Sequence, residues 1–400
     1  FFCHSRSHGS DHRRETEYLM MLAGILVKPG VIELRETEVP KPSQGELLVK
    51  IKAALTCGTD LKAFRRGHPV IPMPGLFGHE FSGIVSEVGR GITRFKKGDA
   101  IMAVHSAPCL ACRYCRKELY NLCENIMHTK ILGAFAEYIL LPPHIVRQNV
   151  FHKPQNLSFE EAAFLEPLSC VVHGMESLHV KKNDHALIIG SGPVGLLHLL
   201  LLKEKGVQVT VMDKHDSKLK VATKLGADFV MLHDSRYSPS PNSSHQGRGH
   251  NPSSLLPLDK GRMGGVIIPS PPVEEGKGEG YSKIKNVIED FDYVFECTGM
   301  PEVWEASVNY VRRGGTVVLF GGCKSGTTVS YDTERLHYDE ITLKGVFHYT
   351  PADVKKAYKL LCSKKLNVSR LISGRFPLKQ TQKVFEKLSK GVGIKYAIIP

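Results

Sequence analysis

The chain of 400 residues has one Trp, and no apolar run in it approaches the roughly 20 residues that a membrane-spanning helix needs. Its richest stretch, LLHLLLLKEKG from Leu196, is short, ends in charges and reads as a buried helix. The first twenty residues lack the apolar core of a secretory signal. They also carry Asp11, Glu15 and Glu17, which a transit peptide avoids. Residues 1–21 are therefore expected to be a disordered extension, and the cytoplasm is the expected compartment. Dense basic runs are missing as well. Lys+Arg outnumber Asp+Glu by 53 to 40, a net +13, but the basic residues are scattered and no aromatics interleave them. That disfavours a dedicated nucleic-acid face and fits a basic surface that gathers an anionic cofactor. A disulfide framework is not expected of ten cysteines in such a compartment.

What is present falls into two rhythms. From Leu22 to about Pro143 the sequence alternates in short apolar runs bounded by Gly and Pro, such as ELLVKIKAAL, GHEFSGIVSEVG and GAFAEYILLP. These predict an all-β module. After about Cys170 strands and helices alternate: HALIIG, then PVGLLHLLLLKEKG, VQVTVMD, a helix opened by Ser217, DFVML, FDYVFECTG, a helix over PEVWEASVNYVRRGG, and TVVLFGG. Alternation of this kind predicts a parallel sheet with right-handed crossovers. Residues 236–280 interrupt it with Ser, Pro, Gly and His. They read as a disordered insertion, with a short strand at GGVIIPS, and the sheet is expected to resume near Ile284. An amphipathic helix and a closing strand, KYAIIP, end the chain. There is no internal repeat.

Three constellations carry chemistry. The first is GSGPVG, Gly190, Ser191, Gly192, Pro193, Val194 and Gly195. It follows a strand and opens a helix, the context in which this pattern binds a dinucleotide. Gly190 allows the tight turn, Gly192 lets the backbone approach the pyrophosphate, and Gly195 lets helix and strand pack closely. Asp213 ends the next strand, where a carboxylate binds the ribose hydroxyls and repels a 2′-phosphate. That favours NAD over NADP, although Lys214 and His215 soften the discrimination and a helix-capping role is open to Asp213. The second is Cys109, Cys112, Cys115 and Cys123, spaced C-x2-C-x2-C-x7-C. Four thiolates close a tetrahedron around structural zinc. An iron–sulfur cluster is the rival, and a C-x-x-C redox pair is disfavoured by the two extra thiols. The third is scattered: Cys57 in TCGTD, His79 and Glu80 in GHE, and Glu166 in FLEPLSC. Together they offer S, N and O ligands for a catalytic zinc, which takes about three protein ligands and keeps one position open.

With these motifs in this order, the chain from about Leu22 to Pro400, apart from the insertion, resembles the zinc-dependent medium-chain dehydrogenase/reductases. The sorbitol (polyol) and threonine dehydrogenase branch is the nearest. The resemblance implies an α/β protein: a GroES-like β-rich catalytic domain over 22–170 and 347–400, and a Rossmann domain, a doubly wound parallel sheet, over 171–346. It implies two zinc ions per chain, NAD, a homodimer or homotetramer, and oxidation of a secondary alcohol or polyol. By resemblance, Cys57 and His79 are catalytic zinc ligands, and the third ligand is open between Glu80 and Glu166. Thr59 takes the alcohol proton. Lys62 stands where the family often has a proton-relaying His, so a different relay, direct transfer to water, a contact with an anionic substrate group or a plain surface role are open to it. Two other functions stay open: an amino-alcohol dehydrogenase acting on threonine, and a non-catalytic nucleotide-binding or interaction protein.

Overall fold

The computed structural model describes residues 19–233, the backbone of 267–269, and 291–400. The expected extension up to residue 18 and the insertion, apart from 267–269, lie outside the described residues.

The first strand, β1 (Met20–Lys28), starts two residues earlier than expected, because Met20 and Met21 already pair with Glu38 and Thr37 of β2 (Val31–Glu38). β3 (Leu47–Leu55) follows and leads into helix α1 (Gly58–Arg66). β4 (Gly75–Leu76) completes a small sheet in the order β2-β1-β4. Then come β5 (Glu80–Val88), β6 (Ala100–Ala103), β7 (Tyr138–Leu141), α2 (Pro143–Asn149) and β8 (Val150–His152). α3 (Phe159–Ala162) opens with a capping box in which Ser158 and Glu161 satisfy each other's backbone N–H groups. α4 (Leu165–Glu176) is buried along most of its length and runs through the boundary expected at residue 170.

The α/β half contains β9 (His185–Ile189), α5 (Pro193–Glu204), β10 (Gln208–Asp213), α6 (Asp216–Lys224), β11 (Phe229–Leu232), β12 (Ile267–Pro269), β13 (Phe291–Glu296), α7 (Pro301–Ser307), β14 (Val311–Leu319), α8 (Thr333–Tyr338) and β15 (Thr342–Gly345). Its sheet runs β12-β11-β10-β9-β13-β14-β15, parallel except at the β11–β12 edge. The order reverses direction between β9 and β13, which is the doubly wound arrangement. Two local expectations need correction. α6 begins at Asp216 after His215, with Ser217 inside it rather than capping it. Arg312, Arg313 and Gly314, expected in a helix, belong to β14, because Val311 already pairs with Phe291.

The chain then returns. α9 (Pro351–Cys362) starts from a Thr350–Asp353 capping box and packs on α4. β16 (Ile372–Pro377), α10 (Thr381–Ser389) and β17 (Lys395–Ile399) finish the fold. β17 pairs with β3, so the C-terminal strands join the N-terminal sheet, in the order β16-β17-β3-β5-β6-β8 with β7 also on β3. An aromatic cluster of Phe64, Phe77, Phe135 and Phe385 fills this module and ties α1 and α10 to it. Among the described residues no helix is long and apolar enough to cross a membrane.

Candidate metal centres and dinucleotide site

Two adjacent antiparallel strands build the first centre. Leu55 at the end of β3 faces Glu80 at the start of β5, so Cys57, just beyond β3, comes against His79 and Glu80. One ligand atom from each of the three lies within 4.8 Å of the others. Asp60, one turn into α1, is fully buried and puts Oδ1 3.3 Å from His79 Nδ1. A carboxylate so placed is the usual partner that orients a metal-binding imidazole. Burial disfavours a charged His79, but Asp60 and Cys57 outweigh it and hold its pKa well above the ordinary value.

Glu80 is sealed from solvent. Its Oε2 is ion-paired with Lys395, whose Nζ also donates to the Thr56 carbonyl at 2.7 Å. Its Oε1 has no partner among the described residues. A carboxylate oxygen buried without a partner is costly. A divalent cation held between Cys57, His79 and Glu80 removes that cost, so the donor set fits zinc.

Glu166 stands outside this triplet. It lies in the first turn of α4, with Oε1 3.5 Å from His105 Nδ1 and 3.8 Å from the Cys170 thiol. Burial pushes its pKa up to about 7, which the charges of His79 and Lys395 partly offset. Of the two acids left open for the third ligand, the geometry groups Glu80 with Cys57 and His79 and sets Glu166 beside them. Thr59 is half-buried in the first turn of α1. Lys62, one turn later, points away to the α/β half, where its Nζ donates to the Gly322 carbonyl at 3.0 Å. Sequence reasoning passed over Asp60, Lys395 and His105. Asp60 stood in the quoted CGTD, and its acidic type three positions after a cysteine ligand was the available signal. Lys395 and His105 reach the site only through long-range pairing.

The second centre is the lobe holding Cys109, Cys112, Cys115 and Cys123. One Sγ from each lies within 4.8 Å of the others, and those of Cys109 and Cys115 are 4.0 Å apart. That is twice a disulfide bond length, and all four are free thiols. Four thiolates about 2.3 Å from one zinc stand close to this separation. A [4Fe–4S] cluster places each thiolate on a different iron and a [2Fe–2S] cluster divides them over two, so either spreads some of the sulfurs further apart. Backbone N–H groups point at the sulfurs, with Ala111 N 3.5 Å and Cys112 N 3.4 Å from Cys109 Sγ. The Ala111 N–H is the main reason the Cys109 pKa drops to about 6, whereas burial pushes Cys115 up to about 12.

The dinucleotide motif lies at the carboxyl end of β9, where the sheet order reverses. Gly190 has φ +101°, and a Cβ at Gly195 would stand 2.0 Å from the Gly190 carbonyl oxygen. A Cβ at Gly192 would meet nothing within 4 Å, so the space above it is open to a phosphate. Pro193 opens α5, with Val194 beside it. Asp213 Oδ2 accepts from Ser191 N at 2.8 Å and Ser191 Oγ at 2.7 Å, and Oδ1 accepts from His215 N at 2.9 Å. The carboxylate thus braces the glycine-rich turn. A cleft lined by Cys57, Leu61, Gly192, Pro193, Lys218 and Ile394 joins this turn to the first metal centre. A more open hollow around His185, Lys203 and Asp228 lies at the amino ends of β9 and β10, the wrong end of the sheet for a ligand.

The model for the alcohol dehydrogenase GroES-like domain matches residues 43–153, and that for zinc-binding dehydrogenases matches 273–363. A model for an FAD binding domain matches 184–224, which is the glycine-rich strand–helix–strand unit and the helix α6 after it. Sorbitol dehydrogenase of Ovis aries is 30% identical over 374 residues, covering 92% of this chain and 94% of that protein. The chain belongs to the zinc-dependent medium-chain dehydrogenase family. It is accordingly a zinc-dependent, NAD(P)-linked alcohol dehydrogenase. D-Arabitol-phosphate dehydrogenase of Enterococcus avium is 29% identical over 373 residues, covering 91% of this chain and 92% of that protein. A solved structure assigned as a zinc-binding dehydrogenase from Sinorhizobium meliloti 1021, bound to NADP, matches with TM-score 0.75 and 27% identity over 96% of this chain and all of that one.

Proposed function

We propose that this dehydrogenase oxidises a secondary hydroxyl of a polyol and reduces NAD, with Cys57, His79 and Glu80 holding the catalytic metal. The observation that carries this reading is the donor set: one thiolate, one imidazole and one sealed carboxylate oxygen without a partner, at the foot of the cleft that leads to the glycine-rich turn. When bound, the zinc supplies the Lewis acidity that lowers a hydroxyl pKa and the nicotinamide supplies the hydride acceptor. Asp60 fixes the His79 ring, and Lys395 balances the Glu80 charge. Thr59 takes the hydroxyl proton. Glu166 holds the water or substrate oxygen beside the metal. Gly190, Gly192, Pro193, Val194 and Gly195 cradle the pyrophosphate, and Asp213 takes the adenosine ribose. Cys109, Cys112, Cys115 and Cys123 hold a second, structural zinc. The similarity to sorbitol and D-arabitol-phosphate dehydrogenases supports a polyol over a simple alcohol.

The two-domain division, with 22–170 and 347–400 forming the catalytic part and 171–346 the Rossmann part, is supported by the return of β16 and β17 to the N-terminal sheet. A cytoplasmic homodimer or homotetramer without a nucleic-acid partner completes the proposal. The test is a zinc count on the purified chain, with NADH formation followed on polyols, L-threonine and simple secondary alcohols and with NADP run in parallel. About two zinc per chain and NAD-linked polyol turnover support the reading. L-Threonine as the best substrate moves it to the amino-alcohol branch. One zinc and no turnover on any alcohol favour a nucleotide-binding protein.

A further inference from the structure

His105 has an unusual setting for a residue outside the ligand triplet. It lies two positions past β6, and its ring centroid is 4.9 Å from that of His79. Its backbone carbonyl accepts from Ile131 N at 2.8 Å. Its Nδ1 is 3.5 Å from Glu166 Oε1 and 3.2 Å from the Tyr349 hydroxyl. That hydroxyl is in turn 2.9 Å from Ser106 Oγ, which is 2.6 Å from His348 Nε2, and the Ser106 carbonyl accepts from Asn149 Nδ2 at 2.8 Å. Two stretches of chain about 240 residues apart thus lock one buried imidazole on its Nδ1 side. On the other side, Nε2 has no hydrogen bond among the described residues, and it is not one of the polar atoms sealed from solvent. An imidazole whose only task was to orient Glu166 would not need so rigid a frame and an open second nitrogen.

We propose that His105 Nε2 recognises a second hydroxyl of the substrate, on the carbon next to the one oxidised, and so selects vicinal diols over mono-alcohols. This rests on the polyol reading above and deepens it. The Tyr349–Ser106–His348 chain is the positioning set that holds the ring. Bound substrate covers this nitrogen, so an analogue without the second hydroxyl leaves it shut off from water and unpaired, and is rejected.

The experiment compares the zinc-loaded full-length chain with His105→Phe, His105→Gln and Tyr349→Phe. The substrates are the stereoisomers of butane-2,3-diol and of butan-2-ol, which differ by one hydroxyl on one skeleton. The wild-type chain is expected to prefer a diol in kcat/KM by at least about tenfold. His105→Phe is expected to lower that preference by at least about tenfold, and His105→Gln, which keeps a hydrogen-bonding group, to recover part of it. Tyr349→Phe, which deletes only an oxygen behind the ring, is expected to raise KM for the diol more than it lowers kcat. Equal losses on both alcohols in His105→Phe and Tyr349→Phe, or a preference that survives both, overturn the assignment. So does a wild-type chain that turns over butan-2-ol as well as the diol. A zinc-replete wild type that oxidises neither these alcohols nor the wider polyol panel identifies the polyol reading itself as the failure.

Discussion

At the residue scale, the groups that tune the first metal centre are Asp60 and Lys395, neither of which is expected to touch substrate. Asp60 is fully buried, with Oδ1 3.3 Å from His79 Nδ1, the place from which a carboxylate fixes an imidazole's tautomer. Removing such a carboxylate usually costs a metal site 10–100-fold in affinity. Asp60→Ala is therefore expected to release its catalytic zinc at about 10–100-fold lower chelator concentration, read as zinc retained against a chelator series. Lys395 balances Glu80 where both side chains are buried from bulk solvent. Lys395→Met leaves that carboxylate uncompensated, so the metal-free variant is expected to lose about 3 kcal/mol of stability. Added zinc should narrow the gap, since the ion takes over the charge, and thermal melts with and without zinc measure both effects. Cys57, His79, Glu80 and Glu166 were legible in the sequence because their residue types and neighbours carry the chemistry. Lys395 was not, since a lysine in a C-terminal strand becomes a site residue only when β17 pairs with β3.

At the scale of elements, the strand–turn–helix around Gly190 was legible because its residues answer local demands: φ > 0 at Gly190 and no room for a side chain at Gly195. The length of the helix after Pro301 was not. Arg312, Arg313 and Gly314 fit a helical end by composition, but partner strands claim the segment for β14. α5 holds a less visible feature. His198 is buried in it, its Nδ1 3.0 Å from the Val194 carbonyl, with its ring packed on Phe295 and Phe320. Burial lowers its pKa to about 4. The unfolded chain takes up a proton near pH 6.5 that the folded chain refuses until about pH 4. Stability is therefore full above about pH 6.5, falls as pH drops through that window, and levels off below it, a total of about 3 kcal/mol from this residue. His198→Leu is expected to remove that share of the slope, read from melting temperature between pH 7 and 4. In the cysteine lobe, Cys123→Ser is expected to lose one zinc per chain. Limited proteolysis should then cut first near residues 109–123, because the lobe has little core of its own beyond Ile126 and the cysteines.

At the scale of the whole molecule, the residues announced two rhythms, and how they meet was given only in part, by the family resemblance that placed 347–400 with the first module. The meeting depends on the late return of the chain to the first sheet and on contacts such as Lys62 to the Gly322 carbonyl, 260 residues apart. That contact bears on a question the sequence left open, since Lys62 stands where a proton relay was sought. Its ammonium crosses from α1 to the loop after β14, and so ties the two halves together beside the proposed dinucleotide site. An exposed hydrogen bond of this kind contributes about 1 kcal/mol, equivalent to a few-fold in an equilibrium constant. Lys62→Met is therefore expected to change KM for NAD by about 2–5-fold and to leave the pH dependence of kcat in place. A relay predicts the opposite split, with the pH profile displaced and KM for NAD unmoved. Initial rates at varied NAD and across pH 6–10 separate the two, and a displaced profile would return Lys62 to the chemistry.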